Sequence, residues 1–256
     1  MQKPAISVVT CTYNSEKYLK KCLKSIESQT FINIEHIIND SFSTDNTVKI
    51  INEYIQKNKN KYPIKFFQTK PKGIARALND SWPKADGEII HFLHSDDYYI
   101  NKTSLERAHK IFVKNKDRMW FTANAIFEFN NKIYKFKIPA IMKHNFKQII
   151  TTANFLSHEN TFIKTKLLKK YGGFDDSNNV TIEYRLWLRI TEDYAPLIIN
   201  DYFTVFIVHH GSNSTGSFFG FTKGLFEGMR TLNKEGIIPI VGIKPGKLLS
   251  NEFKNR

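Results

Sequence analysis

Two adjacent carboxylates, Asp96 and Asp97, follow directly on an apolar run in the stretch HFLHSDDYY at residues 91–99. Like charges side by side are unfavourable unless water, a cation or a hydrogen-bond donor neutralises them. The plain alternative is a polar loop in which Asp97 or Asn101 caps the following helix. A second set is Lys72, Gly73 and Arg76 in PKGIARALN. A glycine before a helix lets backbone approach a phosphate, and the helix N-terminus favours anions. Arg76 would add a planar donor for a diphosphate or a sugar; otherwise Gly73 shapes a turn and Arg76 is a surface residue. Glu183 in TIEYRLWLRI stands early in a helix, where the dipole alone favours a carboxylate.

These residues need a frame. AISVVTCTY (5–13), IEHIIN (34–39), IKFFQT (64–69) and EIIHFL (88–93) are β-branched or apolar runs with polar borders, and each reads as a strand. Between them, NSEKYLKKCLKSIESQT, STDNTVKIINEYIQKN and GIARALNDSW carry apolar residues at helical spacing, with Asn14 as the expected N-cap of the first. A further helix follows the acidic pair, with Leu105, Ala108, Ile111 and Phe112 on one face. Alternating strands and helices predict a parallel sheet covered on both faces, with ligands bound outside the carboxyl ends of its strands. Thr12, Tyr13 and Asn14, then Asn39 and Asp40, then Ser95, Asp96 and Asp97 converge on that edge. After residue 118 the rhythm changes: AIFEFNNKIYKFKIP reads as a hairpin turning at Asn130-Asn131, TKLLKKYGGFDD as a helix stopped by Gly172 and Gly173, TIEYRLWLRITED as a helix, and PLIIN and YFTVFIVHH as strands.

The 256 residues suffice for one large domain or two small ones, and 41% hydrophobic with 21 Phe argues for a substantial core and against disorder. The two cysteines, Cys11 and Cys22, form no CxxC pair, which argues against a disulfide framework or a zinc site and suits a reducing cytoplasm. No run approaches the roughly 18 apolar residues of a membrane span, and AISVVTCTY is too short and polar-interrupted for a signal peptide. The net charge of +14 suits an anionic partner, whether nucleic acid, a membrane surface or a phosphorylated substrate. For nucleic acid, basic residues should cluster with stacking aromatics between them; here they are spread along the chain, and no nucleic-acid partner is expected.

ISVVTCTYNSEKYLKKCLKSIESQT, EHIINDSFSTDNT, KGIARALN and HFLHSDD, in that order, resemble the family 2 glycosyltransferases of the GT-A fold, and HENTFIKTKLLKKYGGFDD with TIEYRLWLRI resembles their acceptor-side half. The resemblance implies an α/β fold with a Rossmann-like, mainly parallel central sheet, a small acceptor-side subregion and a C-terminal helical tail. It divides the chain into a GT-A domain over about 1–215 (a nucleotide-sugar half to about 117, an acceptor half over 118–215) and a tail over 216–256.

The family moves a sugar from a nucleotide diphosphate to an acceptor hydroxyl with inversion, and the leaving diphosphate calls for Mn2+ or Mg2+. By the match, SDD (95–97) occupies the place of the DXD motif, with Asp97 as the metal ligand and Ser95 and Asp96 beside the donor. Asp40 is similar to the family's base-reading aspartate, and Thr10, Thr12 and Tyr13 would line the same pocket. NDSFSTD departs from the family's glycine-containing pattern, through Ser41 and Phe42, and Asp45 is expected to fix the loop or cap the helix. Glu183 takes the place of the general base, usually Asp, one methylene longer. His158 and Glu159 in SHEN match an acceptor-side position often occupied by His-Gln. His209 or His210 in VHHGSNSTG would complete the metal shell, let the loop close over the diphosphate, or simply be hydrogen-bonded.

The tail SFFGFTKGLFEGMRTLNKEG has an apolar stripe with basic flanks, which fits either an interfacial helix on an anionic membrane or a packing or dimer helix. The resemblance thus implies a cytoplasmic enzyme, peripheral on the inner membrane if the tail docks there. It would transfer a hexose or N-acetylhexosamine from UDP to a glycan or lipid-linked acceptor in bacterial surface polysaccharide synthesis. A nucleotide-binding scaffold of the same fold is the competing expectation.

Overall fold

The computed structural model describes residues 3–138, 142–151, 156, 158–177 and 182–208. A seven-stranded sheet is built from β1 (Ile6–Thr12), β2 (Ile34–Asp40), β3 (Ile64–Gln68), β4 (Ile89–Phe92), β6 (Trp120–Ala123), β9 (Thr161–Lys164) and β10 (Leu197–Ile199), in the order β10-β6-β9-β4-β1-β2-β3. All seven residues of β1 are buried, as a central strand covered on both faces requires. Ile6 and Val8 pack on the Leu19, Cys22, Leu23 and Ile26 stripe of α1 (Glu16–Glu27). Val9 and Cys11 face the opposite core with Ala75, Ala77 and Leu78 of α3 (Ile74–Ser81).

The register decides what the edge carries. β1 and β2 run parallel from Ile6↔Ile34 to Thr12↔Asp40, so Thr12 and Asp40 end side by side. β4 lies on the other side of β1, parallel, from Ile6↔Ile89 to Val9↔Phe92. The chain therefore reverses its direction of winding between β1 and β4, and the crevice opens there. β9 runs antiparallel between β4 and β6, so its first residue lies at the edge where β4 stops. β10 is again parallel to β6.

Helix α7 (Tyr184–Asp193) leads into β10, and a helix returning along a parallel sheet starts near the carboxyl edge, which is where Glu183 stands. A second sheet, β5 (Tyr98–Tyr99), β11 (Thr204–Ile207), β7 (Ala125–Phe129) and β8 (Lys132–Phe136), abuts that edge. The β7–β8 hairpin turns at Asn130 and Asn131 with φ of 49° and 60°, the two positive values a tight right-twisted turn needs.

Several local expectations change. Asn14 does not cap the first helix: Ser15 precedes α1, while Asn14 takes φ 48° and its side-chain oxygen accepts the Thr44 N–H at 2.9 Å. That bond ties the loop after β1 to the loop after β2. Helix α5 (Met142–Ile150) has no counterpart in the sequence reading, and the two-residue strand β5 intervenes between the acidic pair and α4 (Ser104–Lys114). The last expected strand, YFTVFIVHH, is described as strand only over Thr204–Ile207. His209, His210 and the 216–256 tail lie outside the described residues. Among the described residues no helix is long and apolar enough to cross a membrane.

Candidate active site

At the end of β2 the Asp40 carboxylate is fully enclosed. Its Oδ1 accepts from Thr12 Oγ1 at 2.9 Å and from Ser43 Oγ, and its Oδ2 accepts from Ser43 N and Gln68 Nε2, both at 2.9 Å. These four bonds lock NDSFSTD against β1 and β3, and the turn that permits them places Phe42 at φ 56°. Asp45 fixes the same loop: its Oδ1 accepts the Thr47 N–H and its Oδ2 the Glu16 N–H, bonds that hold its carboxyl below its usual range although slight burial opposes them. Tyr13, 58% exposed, projects from the edge next to Asp40. Thr10 does not join this group. It sits one pleat further in, with its hydroxyl 3.1 Å from His36 Nε2 in the core.

Across the crevice, Ser95 Oγ lies 2.9 Å from Ser15 Oγ, a direct link between the loops after β1 and β4. The turn after β4 is closed by the Asp97 N–H on His94 O at 3.1 Å. Asp96 is half-buried, but Asp97 is fully buried. Asp97 Oδ1 accepts the Ile207 N–H of β11 at 3.1 Å, and its Oδ2 is buried with no hydrogen-bond partner among the described residues. Burial, then the charges of Asp96 and Glu159, push the Asp97 carboxyl well above its usual range, opposed only by the Ile207 N–H. An enclosed carboxylate with an orphaned oxygen and two acidic neighbours fits a divalent cation, which would neutralise it.

The turn His158–Asn160, immediately before β9, reaches the same place. His158 Nε2 meets His94 Nε2 and lies 3.4 Å from Glu159 Oε1. One nitrogen from each ring and one carboxylate oxygen fall within 4.8 Å of one another. Burial lowers His158 to about 4, partly offset by Glu159, so its imidazole is neutral and able to act as a ligand. His158 and Glu159, expected on the acceptor side, thus stand against the turn that carries the acidic pair. His94 was not singled out by the sequence reading; its place two residues before Asp96 was the available signal.

Lys72, Gly73 and Arg76 are exposed at the start of α3, with Gly73 at φ 88°. Arg76 pairs with Asp80 at 3.1 Å and lies 3.8 Å from Asp176, partners the sequence reading did not name. Glu183 is buried just before α7, its carbonyl accepting the Trp187 N–H at 3.0 Å. The GGFDD loop beside it is held by Arg189, which donates to the carbonyls of Tyr171 at 2.6 Å and Gly173 at 3.0 Å.

A mainly parallel sheet, a reversal of winding between β1 and β4, and an acidic turn at that point define the GT-A class of glycosyltransferase. Residues 7–172 match the model of Glycosyl transferase family 2, and the chain belongs to that family. Over 225 residues it is 33% identical to an uncharacterized glycosyltransferase of Methanocaldococcus jannaschii, covering 83% of this chain and 74% of that protein. Over 104 residues it is 38% identical to the poly(ribitol-phosphate) beta-N-acetylglucosaminyltransferase TarS of Staphylococcus aureus, covering 40% of this chain but 18% of that protein.

Among solved structures, TarS 1–349 in complex with UDP-GlcNAc superposes with a TM-score of 0.68 at 24% identity, over 90% of this chain and 66% of that one. The mannosyltransferase PcManGT of Pyrobaculum calidifontis, in complex with GDP-Man and Mn2+, gives 0.71 at 18% identity, over 93% and 67%. At these identities the likeness is one of fold.

Proposed function

We propose that the chain is a metal-dependent, inverting transferase that moves a hexose or N-acetylhexosamine from UDP to a hydroxyl of a glycan or lipid-linked acceptor in bacterial surface polysaccharide synthesis. The observation that carries this reading is the buried Asp97 carboxylate, with its unpartnered oxygen, at the point where the sheet reverses its winding. The relatives support the donor class: TarS is an N-acetylglucosaminyltransferase with a structure in complex with UDP-GlcNAc, and PcManGT is a mannosyltransferase in complex with GDP-Man and Mn2+.

In this reading Asp97 faces the cation, Mn2+ or Mg2+, and Asp96 lies beside the donor sugar. When bound, the cation would absorb the negative charge that grows on the departing diphosphate. Tyr13 stacks on the base, with Thr12 beside it. Asp40 accepts the base N–H by taking Gln68's place at its Oδ2, the one donor there that belongs to neither its own loop nor β1. Lys72, Gly73 and Arg76 line the approach for phosphate, and Ser95 lies beside the donor. Glu183 removes the acceptor proton as the oxygen attacks the anomeric carbon opposite the leaving diphosphate, which inverts the configuration. The tail beyond residue 216 brings the enzyme to the cytoplasmic face of the membrane.

Thermal stability with UDP, GDP, dTDP and CDP, each with and without Mn2+, tests the reading. Saturation at a hundredfold excess of ligand over its dissociation constant adds about 2.7 kcal/mol. A Mn2+-dependent response to UDP that is lost in Asp97→Ala is expected. A response to GDP instead would move the base assignment, and none to any nucleotide would sink the donor site.

A further inference from the structure

We propose that the cation of this site is held through nitrogen: His94 Nε2, His158 Nε2 and a Glu159 carboxylate oxygen form a three-ligand centre that takes a transition ion ahead of magnesium or calcium. The inference rests on the reading above for what the ion does, and on the geometry alone for where it binds.

Three donors of the right kind already converge. The candidate atoms of His94, His158 and Glu159 lie within 4.8 Å of one another, and the two ring nitrogens point at each other. An ion with metal–nitrogen bonds of about 2.0–2.1 Å would sit between them after small side-chain rotations. The cluster brings together residues 64 apart in sequence, because antiparallel β9 begins where parallel β4 ends.

The donors are also supported. His94 O accepts both the Asp97 N–H at 3.1 Å and the Cys22 thiol at 3.3 Å, which sets the direction of the turn. Glu159 O accepts from Thr204 Oγ1 at 2.7 Å and lies 2.9 Å from His91 Nε2. Asn160 Oδ1 accepts the N–H groups of Phe203 and Thr204 at 3.2 and 3.1 Å. These bonds fix the backbone that carries the three ligands, so the cluster stands on rigid elements. Three residues beyond His94 in the same turn, the orphaned Asp97 Oδ2 adds a second, independent sign of a missing positive partner.

Donor type decides the ion. Two imidazoles and one carboxylate suit manganese, iron, cobalt or zinc, whereas magnesium demands oxygen in a near-ideal octahedron.

The test uses the full chain stripped with EDTA and titrated with Co2+, whose visible bands report nitrogen ligation. The wild type is compared with His94→Ala, His158→Ala and Asp97→Asn. The expected result is a Co2+ spectrum displaced by an equal concentration of Zn2+, by Mn2+ only in large excess, and not by Mg2+ at that same excess. Each histidine variant should weaken Co2+ by at least about tenfold, the low end of what loss of even an outer-shell partner costs. Where an alanine variant melts early, His94→Gln and His158→Gln, which keep the bulk, carry the comparison.

Unchanged Co2+ affinity in both histidine variants, ready displacement by Mg2+, or no Co2+ binding by the wild type would each overturn the centre. UDP binding by the wild type in saturating Mn2+, followed separately, distinguishes the two claims. A histidine-dependent Co2+ centre with no UDP binding sinks the donor assignment alone. UDP binding without a histidine-dependent centre sinks the nitrogen ligation alone.

Discussion

Thr12 and Asp40 end adjacent parallel strands in register, and the threonine hydroxyl donates to the carboxylate at 2.9 Å. The Ser43 backbone, the Ser43 hydroxyl and the Gln68 amide fill the rest of that carboxylate. The aspartate therefore organises the loop that follows β2 before it can recognise anything. Asp40→Asn turns a donor toward donors, and a bond to a charged group is worth about 1.5–3 kcal/mol, so a loss of about 3 kcal/mol is expected. Urea unfolding measures it; a loss under 1 kcal/mol would show that the network is not holding the loop.

Asp97 makes the opposite prediction. Its carboxylate is buried beside two like charges with one oxygen unpartnered. In EDTA, Asp97→Asn is expected to be more stable than wild type by about 1–2 kcal/mol, because it removes a buried charge that Asp96 and Glu159 repel. With Mn2+ added, wild type should gain stability and the variant should not. Melting curves in both conditions decide it, and a variant that still gains from Mn2+ would remove Asp97 from the cation's neighbourhood.

His36 supplies a pH dependence. Buried between Tyr54 OH at 2.9 Å and Thr10 Oγ1 at 3.1 Å, it is lowered by burial from 6.5 to about 3. The unfolded chain takes up this proton below about pH 6.5 and the folded chain does not until about pH 3, so stability is lost as pH falls through that window. The slope is at most about 1.4 kcal/mol per pH unit for one group. His36→Gln should flatten the pH profile of unfolding free energy by that amount between pH 6 and 4; parallel profiles would refute the assignment.

Gly173 is closed to any side chain. A Cβ there would meet Asn79 Oδ1 at 2.0 Å and Trp82 Nε1 at 2.6 Å. Asn79 is committed: it donates to Phe174 O and accepts the Phe174 N–H, both at 2.9 Å. Gly173→Ala is expected to cost about 2–3 kcal/mol through overpacking. The double variant with Asn79→Ala should cost clearly less than the sum, because the two residues share one contact. Simple additivity in denaturant unfolding would contradict that coupling.

Glu183→Gln keeps the shape of the proposed base and removes its function. Transfer should fall by about 10²–10⁴-fold while nucleotide binding and melting temperature hold. Glu183→Asp should retain more activity than the glutamine variant. Equal activity of Glu183→Gln and wild type would assign proton removal to another group.

Most strands and helices of the first 115 residues were legible because each is declared within a dozen residues, by β-branched runs for β1 and β2 and spaced apolar residues for α1 and α2; the Asn-Asn turn did the same for the later β7–β8 hairpin. Asn14 was misplaced because its side chain had two uses, capping its own helix or bracing the loop after β2, and only the packed neighbour favours the second. Arg76's second carboxylate partner was likewise hidden, since Asp176 comes from a loop a hundred residues on, whereas Asp80 is an i,i+4 neighbour.

Sequence alone determined the alternation of elements, the parallel sheet and the carboxyl edge on which Asp40, Ser95, Asp96 and Asp97 converge, since those follow from local periodicity and from the chirality of parallel crossovers. What only the tertiary structure decided is which distant residues meet there. One antiparallel strand, β9, inserted between β4 and β6, brings His158 and Glu159 to His94, and β11 brings the Ile207 N–H to Asp97 across 110 residues. Strand order and register are set by burial summed over the whole sheet. No short stretch of sequence carries that sum.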